Sequence, residues 1–176
     1  MKTKDITQIA LVAAIMCVCG PISLNIGPIP VTLTNLVIYI ALYITGMKKT
    51  LISYIIYYLL GLVGLPVFSN YGSGIAKAVG PTGGFLAGFI FVILIGGIMM
   101  EKTKLRLLHL LGLVVGTWIL YLFGTLWYVR GAGGSFAAAF GVCVAPFILV
   151  DTVKMLIGMA VGLAVKLRLK KAQIGA

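Results

Sequence analysis

The run from Gly141 to Val165 constrains this chain more than any other stretch, because it is apolar, long enough to cross a bilayer, and charged only at Asp151 and Lys154. A hydrocarbon core about 30 Å thick needs about 20 residues of helix at 1.5 Å per residue. Within lipid the backbone must satisfy its own hydrogen bonds, which an α-helix does within one segment. Six such stretches are separated by Gly, Pro or Lys/Arg: Ile6–Cys19, Val31–Thr45, Leu51–Leu65, Gly83–Met100, Leu107–Trp127 and Phe140–Val165. The first and third are short, so tilt or local bilayer thinning must absorb some mismatch. Composition agrees, with 61% hydrophobic and 10% charged residues against about 25% charged in a soluble domain. The expectation is an all-α integral membrane protein: six transmembrane helices in one domain, residues 1–176.

A net charge of +11 raises the question of nucleic acid, but the distribution of the basic residues excludes it. With a cytoplasmic N-terminus, the cytoplasmic segments hold Lys2, Lys4, Lys48, Lys49, Lys102, Lys104, Arg106, Lys166, Arg168, Lys170 and Lys171. The opposite side holds only Lys77 and Arg130, and Lys154 lies within a span. This is the positive-inside pattern, and it predicts that both termini are cytoplasmic. Lys2 and Lys4 before an apolar stretch resemble a signal peptide, but no small-x-small cleavage site precedes Pro21. Cys17, Cys19 and Cys143 fall at apolar positions and read as buried free thiols, with neither disulfide nor metal.

Charge inside a span costs from about 2.5 kcal/mol to well over 10, so such residues face a bundle interior and find partners. Entering near Pro146 and leaving at Lys166, the sixth helix puts Asp151 about 22 Å and Lys154 about 18 Å above the cytoplasmic boundary, in the outer half. Three residues apart, they share a helix face. A purely structural ion pair is a poor stabilising device, because desolvation cancels much of the Coulomb gain. As a ligand site the pair makes more sense: Asp only accepts, Lys only donates, and together they match a polar ring that does both.

The external connection from Pro66 to Thr82, PVFSNYGSGIAKAVGPT, is the second unusual feature. It is long for a helix connection, which is usually a sign of function, and too apolar for disorder, so it should fold back over the bundle. Gly72 and Gly74 permit close backbone approach; Ser69, Asn70 and Lys77 are polar handles. Lys77, on the side where positive charge is nearly excluded, suits an anion. Gly80–Gly84 leads into a helix and reads as a tight turn; it lacks the Gly-Lys-Ser/Thr of a nucleotide loop. Small-xxx-small pairs at Ala10/Ala14, Gly84/Gly88, Gly112/Gly116 and Gly158/Gly162 allow close helix packing. Tyr54, Tyr57 and Tyr58 share one face of the third helix and read as packing, while Trp127 and Tyr128 read as interfacial anchors.

The stretch Gly64-Leu-Pro-Val-Phe-Ser69, then Gly80-Pro-Thr-Gly-Gly84, with Asp151-x-x-Lys154 in the last span and Pro28-x-Pro-Val-Thr-Leu33 before the second, resembles the BioY family. These are the biotin-specific substrate-binding subunits, or S-components, of energy-coupling factor (ECF) transporters. The resemblance covers about Ala10 to Lys171 and implies the six-helix S-component bundle in a prokaryotic plasma membrane. Biotin would be captured at the outer side for ATP-driven uptake. The partners would be a membrane coupling protein, packed against Ala10 and Ala14, and two ABC-type ATPases that perform the hydrolysis. Asp151 would accept from a ring N–H of the urea-like head and Lys154 donate to its carbonyl. Asn70 and Lys77 would supply the remaining ring contacts and the ligand carboxylate, with Tyr71, Val79, Gly80 and Gly84 lining the rest.

Two alternatives are an S-component for another small vitamin and a self-sufficient proton-coupled biotin carrier titrating on Asp151. An intramembrane enzyme needs a base or metal ligands within the fold, whereas His109 lies at the cytoplasmic edge and Glu101 in a basic loop. No cofactor and no catalytic residue are expected.

Overall fold

The computed structural model describes residues 2–25 and 27–174, and most of it is helix. Helix α1 (Thr3–Cys19) is followed by a small hairpin, β1 (Ser23–Asn25) and β2 (Pro30–Thr32). Then come α2 (Thr34–Thr45), α3 (Met47–Val63), a 3₁₀ turn (Ser69–Tyr71), α4 (Gly74–Val79), α5 (Gly83–Lys102), α6 (Arg106–Ala132), α7 (Phe136–Cys143) and α8 (Ala145–Ile174). Among the described residues, α5, α6 and α8 are each long and apolar enough to cross a membrane unaided. Helix α2 has 12 residues, about 18 Å at 1.5 Å per residue, and the hairpin precedes it.

Three helix pairs build the bundle: α5 with α6, α2 with α8, and α1 with α3. The first two are glycine seams. A Cβ on Gly116 of α6 would lie 2.9 Å from the Val92 Cα of α5, and one on Gly158 of α8 would lie 2.6 Å from the Tyr39 Cβ of α2. Without a hydrophobic drive in lipid, helices associate by close packing, and the missing side chain lets the backbones meet. The Gly112/Gly116 and Gly158/Gly162 pairs lie on these seams. The α1–α3 pair adds polar ties at one end: Lys49 Nζ meets Asp5 Oδ1 at 2.5 Å and Gln8 Oε1 at 2.7 Å, and Ser53 Oγ donates to the Ile9 carbonyl at 3.0 Å. The Lys49 ammonium holds the Asp5 carboxyl below the ordinary carboxylate range.

The last apolar run, read as one span over Phe140–Val165, is two helices. Pro146 has no N–H to give to the carbonyl four residues earlier, and its ring crowds that carbonyl. The helix therefore ends at Cys143, Val144 bridges with ψ −46° and φ −123°, and α8 restarts at Ala145. The connection after α3 does return over the bundle. Phe68 is fully buried, its ring edge-on to Tyr57 with centroids 5.8 Å apart, and the Tyr57 hydroxyl donates to the Val67 carbonyl at 3.1 Å. Tyr54 is buried as well and donates to the Leu86 carbonyl at 2.5 Å.

Candidate ligand-binding site

A cavity open at its mouth lies between α2, α3, α5, α6 and α8. The hairpin closes part of it through Ile29, Pro30 and Thr32; the connection after α3 adds Ser69 and Thr82; α7 adds Cys143. One wall is aromatic and aliphatic, from Phe85, Leu86, Phe89, Leu120 and Phe147.

The rest of the lining includes a buried polar network centred on Asp151 and Lys154, which are 5% and 7% exposed. The Lys154 ammonium spends its three protons on the Thr32 carbonyl at 2.7 Å, Asn35 Oδ1 at 3.1 Å and Asp151 Oδ1 at 3.3 Å. Asp151 Oδ1 also accepts from Asn35 Nδ2 at 2.6 Å, and Oδ2 accepts from the Tyr121 hydroxyl at 2.7 Å. Asn35 Oδ1 takes a further bond from the Leu36 amide at 3.0 Å. Nearby, Tyr39 and Thr117 share a hydrogen bond of 3.2 Å between their hydroxyls. The two opposite charges thus sit against each other, surrounded by neutral groups that complete their hydrogen bonding, which is the condition under which buried charge is tolerated. A ligand fitted to this cavity combines a compact donor and acceptor head with an apolar body. Among the described residues no cluster of side chains suited to hold a metal ion occurs.

The residues singled out from the sequence divide between two places. Asp151 and Lys154 line the cavity together. Asn70, Tyr71, Lys77 and Val79 lie in the connection after α3, outside the cavity wall, with Tyr71 69% and Val79 62% exposed. Asn70 is hydrogen-bonded to Ser23 and Asn25 of the hairpin. The aliphatic stem of Lys77 lies against Gly72. Gly80 gives its carbonyl to Trp127 Nε1 at 3.0 Å, and Gly84 packs under the same indole, so the Gly80–Gly84 turn is held by α6. Ala10 and Ala14 are exposed on α1, while Ile9, Val12, Ala13 and Met16 face the bundle. The sequence reading did not single out Asn35, Tyr121 or Thr32. The available signal was a neutral amide inside the second apolar stretch, since intramembrane polar groups mark functional interiors.

The BioY family model matches residues 1–171. A protein of Pyrococcus horikoshii described as a probable biotin transporter BioY is 39% identical over 154 residues, covering 88% of this chain and 91% of that one. The biotin transporter BioY of Thermotoga maritima is 31% identical over 97% of this chain and 98% of its own length. In three dimensions the chain is similar to the crystal structure of the S-component for biotin from an ECF-type ABC transporter, with a TM-score of 0.82 over 97% of this chain and 95% of that one. At 23% identity that likeness is one of fold. A match across almost the full length by sequence, joined to a bundle of membrane-spanning helices with the same path, places the assignment beyond the short motifs that first suggested it: the chain belongs to the BioY family.

Proposed function

We propose that this chain is the biotin-binding S-component of an ECF-type transporter, a transport subunit and not an enzyme. It crosses a prokaryotic plasma membrane six times with both termini cytoplasmic, the short α7 and long α8 together forming the last crossing. It captures biotin from the outer side and delivers it with a membrane coupling protein and two ABC-type ATPases.

The observation that carries this reading is the buried polar network at one wall of an otherwise apolar cavity. A urea-like ring has two N–H donors and one carbonyl. Asp151 Oδ2 holds a single donor, Tyr121, so one lone pair is free for a ring N–H. Lys154 has no proton to spare, so it meets the ring carbonyl by giving up one internal partner. The aromatic wall suits the sulfur-containing ring and aliphatic tail, and the tail carboxylate is directed to the outer connection, to Lys77 or the backbone of Gly80–Gly84.

Labelled biotin binding to the purified protein tests this, beside Asp151→Asn and Lys154→Met. Each variant strips one charge from the pair, and a lost hydrogen bond to a charged group is worth about 1.5–3 kcal/mol, or roughly ten- to a hundredfold in affinity. Undiminished affinity in both variants rejects the site.

A further inference from the structure

Helices α6 and α8 are each held by a different neighbour. The close-packed glycines of α6, Gly112, Gly116 and Gly124, turn to α5, and those of α8, Gly158 and Gly162, turn to α2. The two seams draw α6 and α8 apart, and a crevice remains between them. It shares a wall with the ligand cavity, since Thr117, Tyr121 and Asp151 line both spaces. The Tyr121 hydroxyl donates to Asp151 Oδ2 at 2.7 Å, so one hydrogen-bonded pair stands between cavity and crevice.

The crevice lies on the membrane-facing side of that partition. Trp118, Ile148 and Thr152 line it as well, with Trp118 47% and Ile148 39% exposed. Trp118 is edge-on to Tyr121 with ring centroids 6.0 Å apart and stacks on Phe140 of α7 at 6.3 Å, which fixes the α6 wall. Hydrocarbon is a poor occupant, because Thr117, Tyr121, Asp151 and Thr152 are polar and a carboxylate left against an apolar medium is costly. Water is the matching one. Thr152 Oγ1 donates to the Ile148 carbonyl at 2.6 Å and Tyr121 donates to Asp151, so both hydroxyl oxygens still offer lone pairs, and with the carboxylate they supply the several polar partners that hold a water molecule.

We propose that the α6–α8 crevice is a side entrance for water, by which water reaches Asp151 from the membrane-facing side without crossing the ligand cavity. The carboxylate keeps one hydrated flank while a ligand fills the cavity, and Tyr121 separates that ligand from the water behind it. The entrance does not depend on what the cavity binds.

Thiol accessibility tests it. In full-length protein carrying Cys17→Ala, Cys19→Ala and Cys143→Ala, reconstituted in lipid vesicles, one of Leu149→Cys, Thr152→Cys or Val153→Cys is added. Leu149 and Val153 are 76% and 49% exposed and lie outside the crevice wall. They bracket Thr152 in depth, so they report the lipid face whichever end of α8 is outermost. A charged methanethiosulfonate reagent attacks by way of the thiolate, which forms where water is present, and Thr152→Cys is therefore modified about tenfold faster than either neighbour, or more. Saturating biotin does not protect it, because the reagent arrives behind Tyr121.

Modification of Thr152→Cys no faster than that of Leu149→Cys and Val153→Cys overturns the side entrance. Protection by biotin overturns it too, since the reagent would then have come through the cavity. If the parent protein binds no labelled biotin, the binding reading fails while the comparison of the three thiols still decides the crevice.

Discussion

Asn35 does as much for the polar network as either charge, because it touches both. Its amide donates to Asp151 and its carbonyl accepts from Lys154 and from Leu36, so each atom is committed and its orientation is fixed. Asn35→Ala leaves two buried charged groups each one partner short, at about 1–3 kcal/mol apiece. The expected outcome is a lowered unfolding temperature in detergent together with biotin affinity weakened at least tenfold; Asn35→Gln restores neither if the geometry matters, since its longer stem misplaces both atoms. An Asn35→Ala protein with parental affinity contradicts this. The residue scale also shows why sequence found half of the site. Asp151 and Lys154 announce themselves by violating hydropathy, whereas Asn35 and Tyr121 violate it little. Thr32 contributes a carbonyl, which every residue possesses and no residue type reveals. Asn70 was visible as a polar residue in a suspect loop, but its partners Ser23 and Asn25 are more than forty positions away, beyond what local pattern carries.

Among the elements, the α5–α6 seam sets the tolerance of the bundle. Gly116→Leu puts a branched side chain where even a Cβ meets Val92 Cα at 2.9 Å, and overpacking of this kind costs about 1–3 kcal/mol. Thermal unfolding should drop accordingly, while Gly131→Ala, on the same helix with open space around it, changes little. The α1–α3 tie responds differently to solution conditions. Because Lys49 lowers the Asp5 carboxyl, this contact is present above the ordinary carboxylate range and is lost only as pH falls through a value below that range. The long helices were legible from apolar runs, the hairpin, α4 and the separate α7 were not, and the glycine pairs lie on the seams. Pro146, near which the last span was expected to enter, lies at the division of that run into α7 and α8.

For the whole molecule, α1 presents an exposed apolar face with Ala10 and Ala14 beside Leu11, Ile15 and Val18, the last 69% exposed. Small residues let a partner helix approach closely. If this is the face that meets the coupling protein, Ala14→Trp reduces co-purification with that protein and ATP-dependent uptake while leaving biotin binding at the parental level; normal association in the variant removes the assignment. The mostly helical, membrane-spanning character of the chain was legible in the sequence because hydropathy acts over long stretches. The covered mouth was not, since it depends on contacts between the hairpin and a loop far along the chain. The three committed protons of Lys154 carry one more consequence. An ammonium that must surrender a protein acceptor for each one the ligand offers makes the polar exchange nearly even in enthalpy. The net drive then comes from water leaving the wall of Phe85, Phe89 and Phe147, and titration calorimetry at several temperatures should register a clearly negative heat-capacity change, with the Asn35→Ala and parent proteins differing in heat far more than in its temperature slope.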